Sequence, residues 1–265
     1  MRLTLEVKNK NGEILSSKSG ENYAVLVYES EYAEGDTLVL KSSEKDVYLM
    51  LKLEDSMNEE FIYLTKDELT YLIPFGEKRI SYSPKTFIGK KHVLTVRTAT
   101  NAEICANKNL ARNCYDQHGD TGCYPHVHAN VETRGEAMFA AKNAINGNRC
   151  NTSHGGWPYE SWGINMQDDA EITIEFGRTV EIDSMVLVTR ADFPHDNYWK
   201  QVTFTFSDGS NLVYDMEKSY DPHCIELAEK KKVSWIKLEK LIKDPEEPSP
   251  FPALSQWEVY GTEIK

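Results

Sequence analysis

The sequence predicts an all-β protein built as two β-sandwich domains. Three observations lead there. Apolar and polar residues alternate at period two in short runs on both halves of the chain. Asn11-Gly12, Glu34-Gly35-Asp36 and Asp208-Gly209 supply turn chemistry between runs. Composition also breaks near residue 93. Residues 1–93 hold no Trp, no Cys and one His (His92), whereas the rest holds all five Trp, all five Cys and the other six His. At 265 residues the chain has the length for two small domains, here residues 1–93 and 94–265.

In the first domain the expected strands are 2–8, 22–28, 37–41, 46–53, 60–64 and 70–73. Leu3, Leu5 and Val7 alternate with polar neighbours. Strands at this spacing without long helical periods read as a small antiparallel sandwich. Pro84 and Gly89 punctuate its exit, and 92–98 is one more strand. Residues 99–112 have some helical character, 113–130 read as a long loop, and 135–146 read as a short helix. After an irregular aromatic stretch, strands resume at 171–176, 182–189, 202–207, 211–214, 234–238 and 256–260. Ile172, Ile174 and Phe176 alternate with Glu171, Thr173 and Glu175, so one face of that strand is buried.

The net charge is −12 and the pI about 5.1. This disfavours a nucleic-acid backbone or an anionic membrane as partner, since both need a basic footprint. No apolar run approaches the roughly 18–20 residues of a spanning helix. The N-terminus reads as a strand rather than a signal core. That predicts a cytoplasmic protein, or an extracellular one from which a leader has been removed. An odd number of cysteines without a C-x-x-C pair predicts reduced, mostly buried thiols. Nothing in the sequence sets an oligomeric state.

Enzyme signatures are missing: there is no P-loop, G-x-G-x-x-G, G-x-S-x-G or H-E-x-x-H. Asp168-Asp169 reads as a solvated turn, because adjacent side chains point apart on an extended chain. His126-Val-His128 places two imidazoles on one side of an extended segment. With His118, Asp116 or Asp120 they would suit Zn or Cu, and the same loop reads equally as surface. The stretch Asn151–Trp162 packs His154, Trp157, Tyr159 and Trp162 beside Gly and Pro with no period. Trp162 reads as core there, and His154 and Trp157 as exposed. The stretch Thr189–Trp199 leaves a buried strand and presents Arg190, Asp192, His195, Asp196, Asn197 and Trp199. Donor fork, two-oxygen acceptor and aromatic face together are what a sugar asks for. The competing reading is an Arg–Asp ion pair that shapes the loop.

Several of these segments also carry a family pattern. Asn109-Leu-Ala, Asn143–Gly147, Ile172–Gly177, Val180–Asp183, the strand ending in Arg190, Phe204–Ser210 and Trp257–Gly261 occur in order over about residues 109–262. In this the second domain resembles the galactose-binding-like (discoidin, coagulation-factor 5/8 type C) domains. Arg134–Ala137, Trp157–Trp162, Arg190–Asp196 and Ser249–Leu254 resemble a group of bacterial proteins described as carbohydrate-binding. The resemblance implies a jelly roll and a lectin-like role. It also implies a structural calcium near Asn146, Asn148, Thr152 and Glu258, although Asn146 stands where the family has Asp. No other cofactor is expected.

The resulting expectation is a non-catalytic carbohydrate-binding protein with no catalytic residues. A saccharide would sit against Trp157 or Trp199, held by Arg190 and Asp192 and rimmed by His154 and His195. The two loops are expected to meet because strand 171–176 runs away from the first and 182–189 runs back. The alternatives are a saccharide-active lyase or hydrolase using His154, Arg190, Asp192 and His195, and a protein-interaction module.

Overall fold

The computed structural model describes residues 1–264 and is all-β, as the alternation predicts. The first sandwich comprises β1 (Arg2–Lys8), β2 (Ile14–Glu21), β3 (Tyr23–Tyr28), β4 (Thr37–Ser42), β5 (Val47–Lys52), β6 (Glu60–Leu64), β7 (Glu68–Leu72) and β8 (His92–Thr98). One sheet runs β2-β1-β4-β7. The other includes β6-β5-β8-β3. Leu3, Leu5 and Val7 are fully buried, as their period requires. The strand β2 had no signal, because its Ser- and Lys-rich run is largely exposed at the sheet edge. It forms because Gly12 (φ +83°) turns the chain back along β1.

The first body extends past the expected boundary at residue 93. Strand β8 pairs with both β3 and β5 and is integral to the second sheet. After the five-residue helix α1 (Asn101–Cys105), closed by a Thr100/Glu103 capping box, the chain forms β9 (Lys108–Asn109) and later β10 (Cys123–Tyr124). The latter pairs with β6, and Tyr115 and Cys123 sit in the first core. Residues 113–130 are therefore not one long loop, since β11 (His126–Ala129) follows and joins the second sandwich.

The expected helix over 135–146 is instead three short 3₁₀ turns, Thr133–Gly135, Ala137–Phe139 and Ala141–Ile145. Arg134 and Gly135 have positive φ, and Ala140 is extended. Asn143 donates to the carbonyls of Ala137 (2.9 Å) and Ser161 (3.2 Å), an alternative to helical bonding.

The second sandwich is completed by β12 (Trp162–Gly163), β13 (Ile172–Thr189), β14 (Trp199–Phe206), β15 (Asn211–Asp215), β16 (His223–Lys243) and β17 (Ala253–Glu263). The expected pair 171–176 and 182–189 is one 18-residue strand, β13. It keeps β16 as partner throughout, with irregularities between Glu175 and Val180 and between Ile182 and Ser184. Its first half also pairs with β11 and its second half with β17, so the two ends build different parts of the sandwich. Strand β16 likewise extends the expected 234–238 to 21 residues. The core between them includes Trp162, Phe176, Trp199, Phe204 and Trp257, all fully buried.

The two bodies are fastened together. Arg112 Nε lies 2.9 Å from Glu60 Oε2. Arg178 stacks over the Tyr48 and Tyr63 rings while its guanidinium bonds Glu263. All five cysteines are free, but Cys105, Cys150 and Cys224 are exposed rather than buried. Among the described residues no helix is long and apolar enough to cross a membrane.

Candidate functional site

Strand β17 places the site. Leu254, near its start, pairs with Trp162 of β12 on one side and with Thr189, the last residue of β13, on the other. The loop before β12 and the loop after β13 must therefore emerge together. Asn151 ties them: its Nδ2 donates to the Thr189 carbonyl (3.0 Å), and its own carbonyl accepts from Ala191 N (2.8 Å). The loops meet as expected, but not for the expected reason, since β13 never reverses. A third segment, 244–252, is held by Asn197, whose Nδ2 donates to the Asp244 (3.0 Å) and Ser249 (2.8 Å) carbonyls.

His154, Asp192 and His195 converge there. His154 Nδ1–H donates to Asp192 Oδ2 at 2.5 Å. The His154 and His195 rings stack with centroids 4.1 Å apart and planes 4° from parallel. Phe251 continues the column at 5.6 Å and 13°. Its ring is 42% exposed, which makes it the apolar face of the recess. His195 Nδ1–H donates to Asp196 Oδ1 (3.0 Å), so both imidazoles have their Nδ1 engaged and their Nε2 free to accept. Beneath lies a recess of about 170 Å³, lined among others by Arg134, Phe139, Asn165 and Phe251. The donor atoms of the three polar residues lie within 4.8 Å of one another. Parallel stacked rings, however, keep their in-plane lone pairs side by side instead of converging on one ion. The arrangement suits hydroxyls better than a metal.

Arg190 corrects the sequence reading. It is 4% exposed, and its partner is Asp196 rather than Asp192. Its Nε lies 2.9 Å from both Asp196 oxygens, and Nη2 lies 2.5 Å from Oδ1. Asp196 is fully buried and also accepts from Asp192 N at 2.8 Å. The pair that shapes the loop is therefore real, and Arg190 reaches the recess only as part of its floor. Trp199 is likewise removed from any ligand. At 0% exposure it packs 6.4 Å from Trp162 in the core, because it opens β14 on the inward face. Trp162 is core, as expected. Trp157 is exposed, as expected, but its part of the loop is pinned to the first sandwich by a bond from its N–H to the Ile80 carbonyl (2.8 Å). It lines a different cleft.

Phe251, which lines the recess, was not among the residues expected there. The available signal was an aromatic residue between Pro250 and Pro252 in a stretch without period.

The four residues expected around calcium do not fit the ion. Glu258 is taken by Arg149, whose Nε donates to Oε1 at 2.6 Å and whose Nη2 bonds Oε2, and by the Tyr260 hydroxyl at 2.8 Å. Asn146 and Asn148 turn their Nδ2 donors to Glu160 Oε1, at 2.8 and 3.1 Å. Thr152 is exposed. Calcium needs six to eight oxygens, several of them carboxylate, and here a guanidinium already holds the one carboxylate of the set.

The His126–His128 pair does not gather a metal set either. His126 donates to Asp116 (2.8 Å), His128 lies 3.4 Å from Glu175, and His118 meets Glu132 (2.9 Å). Each ring has its own carboxylate. Asp120 bonds Lys66.

No family model and no curated protein matches the chain. Solved structures with a similar chain path include carbohydrate-binding modules and lectin domains, and also a GH29 fucosidase of Ruminococcus gnavus. One is chitosan-binding module 1 from a chitosanase/glucanase of Paenibacillus sp. IK-5, with 18% identity over 58% of this chain and 99% of the module and a TM-score of 0.41. Another is the family 32 module of C. perfringens NanJ in complex with galactose, with 15% identity over 51% and 91% and a TM-score of 0.39. A third is the lectin domain of lectinolysin complexed with Lewis b antigen, with 17% identity over 58% and 97% and a TM-score of 0.44. At such identity no residue's role passes from them to this chain.

Proposed function

We propose that the chain binds a saccharide, without catalysis, in the recess lined by His154, His195 and Phe251, with Asp192 beside it on the His154 ring. The observation that carries the proposal is the convergence of three segments, the loops of His154 and of Asp192 and His195 and the stretch 244–252 that carries Phe251. They bring an exposed aromatic ring, a partly exposed carboxylate and two free imidazole acceptors to one rim. Asp192 and the two Nε2 atoms accept from ring hydroxyls, and Phe251 offers a flat apolar face to the C–H side of a sugar. The excess of acidic residues argues against an anionic polymer or a phospholipid surface as the ligand.

A second reading is a saccharide-active lyase or hydrolase. It rests on the His154–Asp192 pair, in which a carboxylate orients an imidazole as in general-base catalysis. Against it stands Arg190, whose charge is committed to Asp196 and is not free to stabilise a developing anion.

A glycan array on the purified chain, followed by calorimetry on His154→Ala, Asp192→Ala and Phe251→Ala, tests the binding reading. Each variant is expected to weaken binding about ten-fold, as a lost hydrogen bond or aromatic contact does. Unchanged affinity in all three would move the site elsewhere. Turnover of an array hit by the wild type, lost in His154→Ala, would favour the enzyme.

A further inference from the structure

We infer that the cleft between the two sandwiches is a second binding site, for an uncharged hydroxyl-bearing ring of the pyranose kind. The inference extends the saccharide reading and rests on it for the class of ligand. The cleft has a volume of about 280 Å³, close to the lower end of ligand pockets, roughly 300–1,000 Å³. It therefore suits one ring rather than a chain.

Its walls come from both bodies. Asn58 and Tyr82 belong to the first, Trp157 and Glu160 to the second. Trp157 is 45% exposed and presents an indole beside the cleft. Glu160 is 3% exposed; its Oε1 accepts from Asn146 and Asn148, while Oε2 has no hydrogen-bond partner among the described residues. A buried carboxylate oxygen left without a donor costs free energy, and a turn of the Glu160 side chain toward the cleft it lines would let a ligand hydroxyl supply one. The Tyr82 hydroxyl accepts from Tyr71 (3.1 Å) and from Lys142 Nζ (3.0 Å), which leaves its own proton to donate. Acceptor, donor and aromatic face are thus present together, as a polyhydroxylated ring needs.

Two groups that would otherwise call for a charged ligand are spoken for. The Lys142 ammonium bonds Ser81 and Tyr82 and lies 4.2 Å over the Tyr82 ring. Asp116 accepts from His126 and from Val127 N. The cleft and the His154 recess share no lining residue. The loop before β12 sends His154 to the recess and Trp157 to the cleft.

The test reads the two sites separately. Of the five tryptophans, Trp162, Trp199 and Trp257 are fully buried, so an indole ¹⁵N signal assigned through Trp157→Phe reports the cleft. Ring signals of His154 and His195 report the recess. The probes are methyl glycosides of galactose, glucose, mannose, fucose and N-acetylglucosamine. The Trp157 signal should shift saturably with at least one of them, equally in wild type and Asp192→Ala. Glu160→Gln should weaken that shift about ten-fold or more. Tyr82→Phe, which keeps the ring, should weaken it too and covers the case in which Glu160→Gln lowers the melting temperature. If the histidine signals move and Trp157 stays still, the saccharide reading stands and this inference falls. If neither moves, both fall.

Discussion

Replacing Arg190 by alanine removes one half of a buried ion pair whose side chains are 5% and 0% exposed. Breaking such a pair typically costs about 3–5 kcal/mol, because the remaining charge is left in a low-dielectric site. Asp196 would keep two donors, Asp192 N–H and His195 Nδ1–H, which places the expected loss near the lower end, about 3 kcal/mol. At about 2–4 °C per kcal/mol for a body of this size, the transition of the second sandwich should fall by about 6–12 °C. Calorimetry and urea titration measure this. A double-mutant cycle with Asp196→Asn should give a coupling well above the few tenths of a kcal/mol seen for independent sites. Saccharide binding should also weaken in Arg190→Ala, because Asp196 positions both the Asp192 backbone and His195. A stability loss below about 1 kcal/mol, with binding abolished, would refute it. Arg190 would then be a direct ligand contact.

Phe251→Ala should leave the melting temperature within the range of an ordinary surface change, about 0.5 kcal/mol, while calorimetry shows weakened saccharide binding; a large melting shift would make Phe251 structural. In the first sandwich, burial pushes the Glu54 carboxyl up to about 8 and holds the neighbouring His92 below its ordinary value. His92 Nε2–H donates to the Gly89 carbonyl (3.2 Å), so its Nδ1 accepts from protonated Glu54 (3.1 Å). A raised carboxyl means the folded state holds a proton that the unfolded state has released, so stability falls as pH rises from about 4.5 to about 8. The lowered His92 acts oppositely, but only below its ordinary value of 6.5. His118 and His126, both raised by carboxylate partners, also lose stability above pH 6.5, so melting curves should decline between pH 6.5 and 8 in wild type and decline less steeply in Glu54→Gln; parallel curves would contradict the assignment. Finally, a Cβ at Gly261 would meet the Glu181 carbonyl oxygen at 2.1 Å. Gly261→Ala should push β17 off β13 and cost at least the upper part of the usual 1–3 kcal/mol of overpacking, read by thermal melt; a neutral result would mean the strands separate freely there.

The alternation of Leu3, Leu5 and Val7, and of Ile172, Ile174 and Phe176, determines both element type and buried face, because a period of two has only one inward side. The sequence also showed that His154, Asp192 and His195 lie on loops without period, hence at a surface. It could not show β2, whose residues bury little, nor that β13 is one strand, since an irregularity breaks the period without ending the pairing. It could not show that Asp196 rather than Asp192 takes Arg190. The two carboxylates stand six and two residues from Arg190, and only the fold of the loop decides which one turns inward. Trp157 and Trp199 are equally aromatic in sequence. One closes a core and the other faces a cleft, because burial is set by which strand or loop carries the ring and what packs against it. Phe251 reaches the rim, and Glu160 is left with an unpaired oxygen, through contacts between separate segments, and such contacts exist only once the second sandwich has folded.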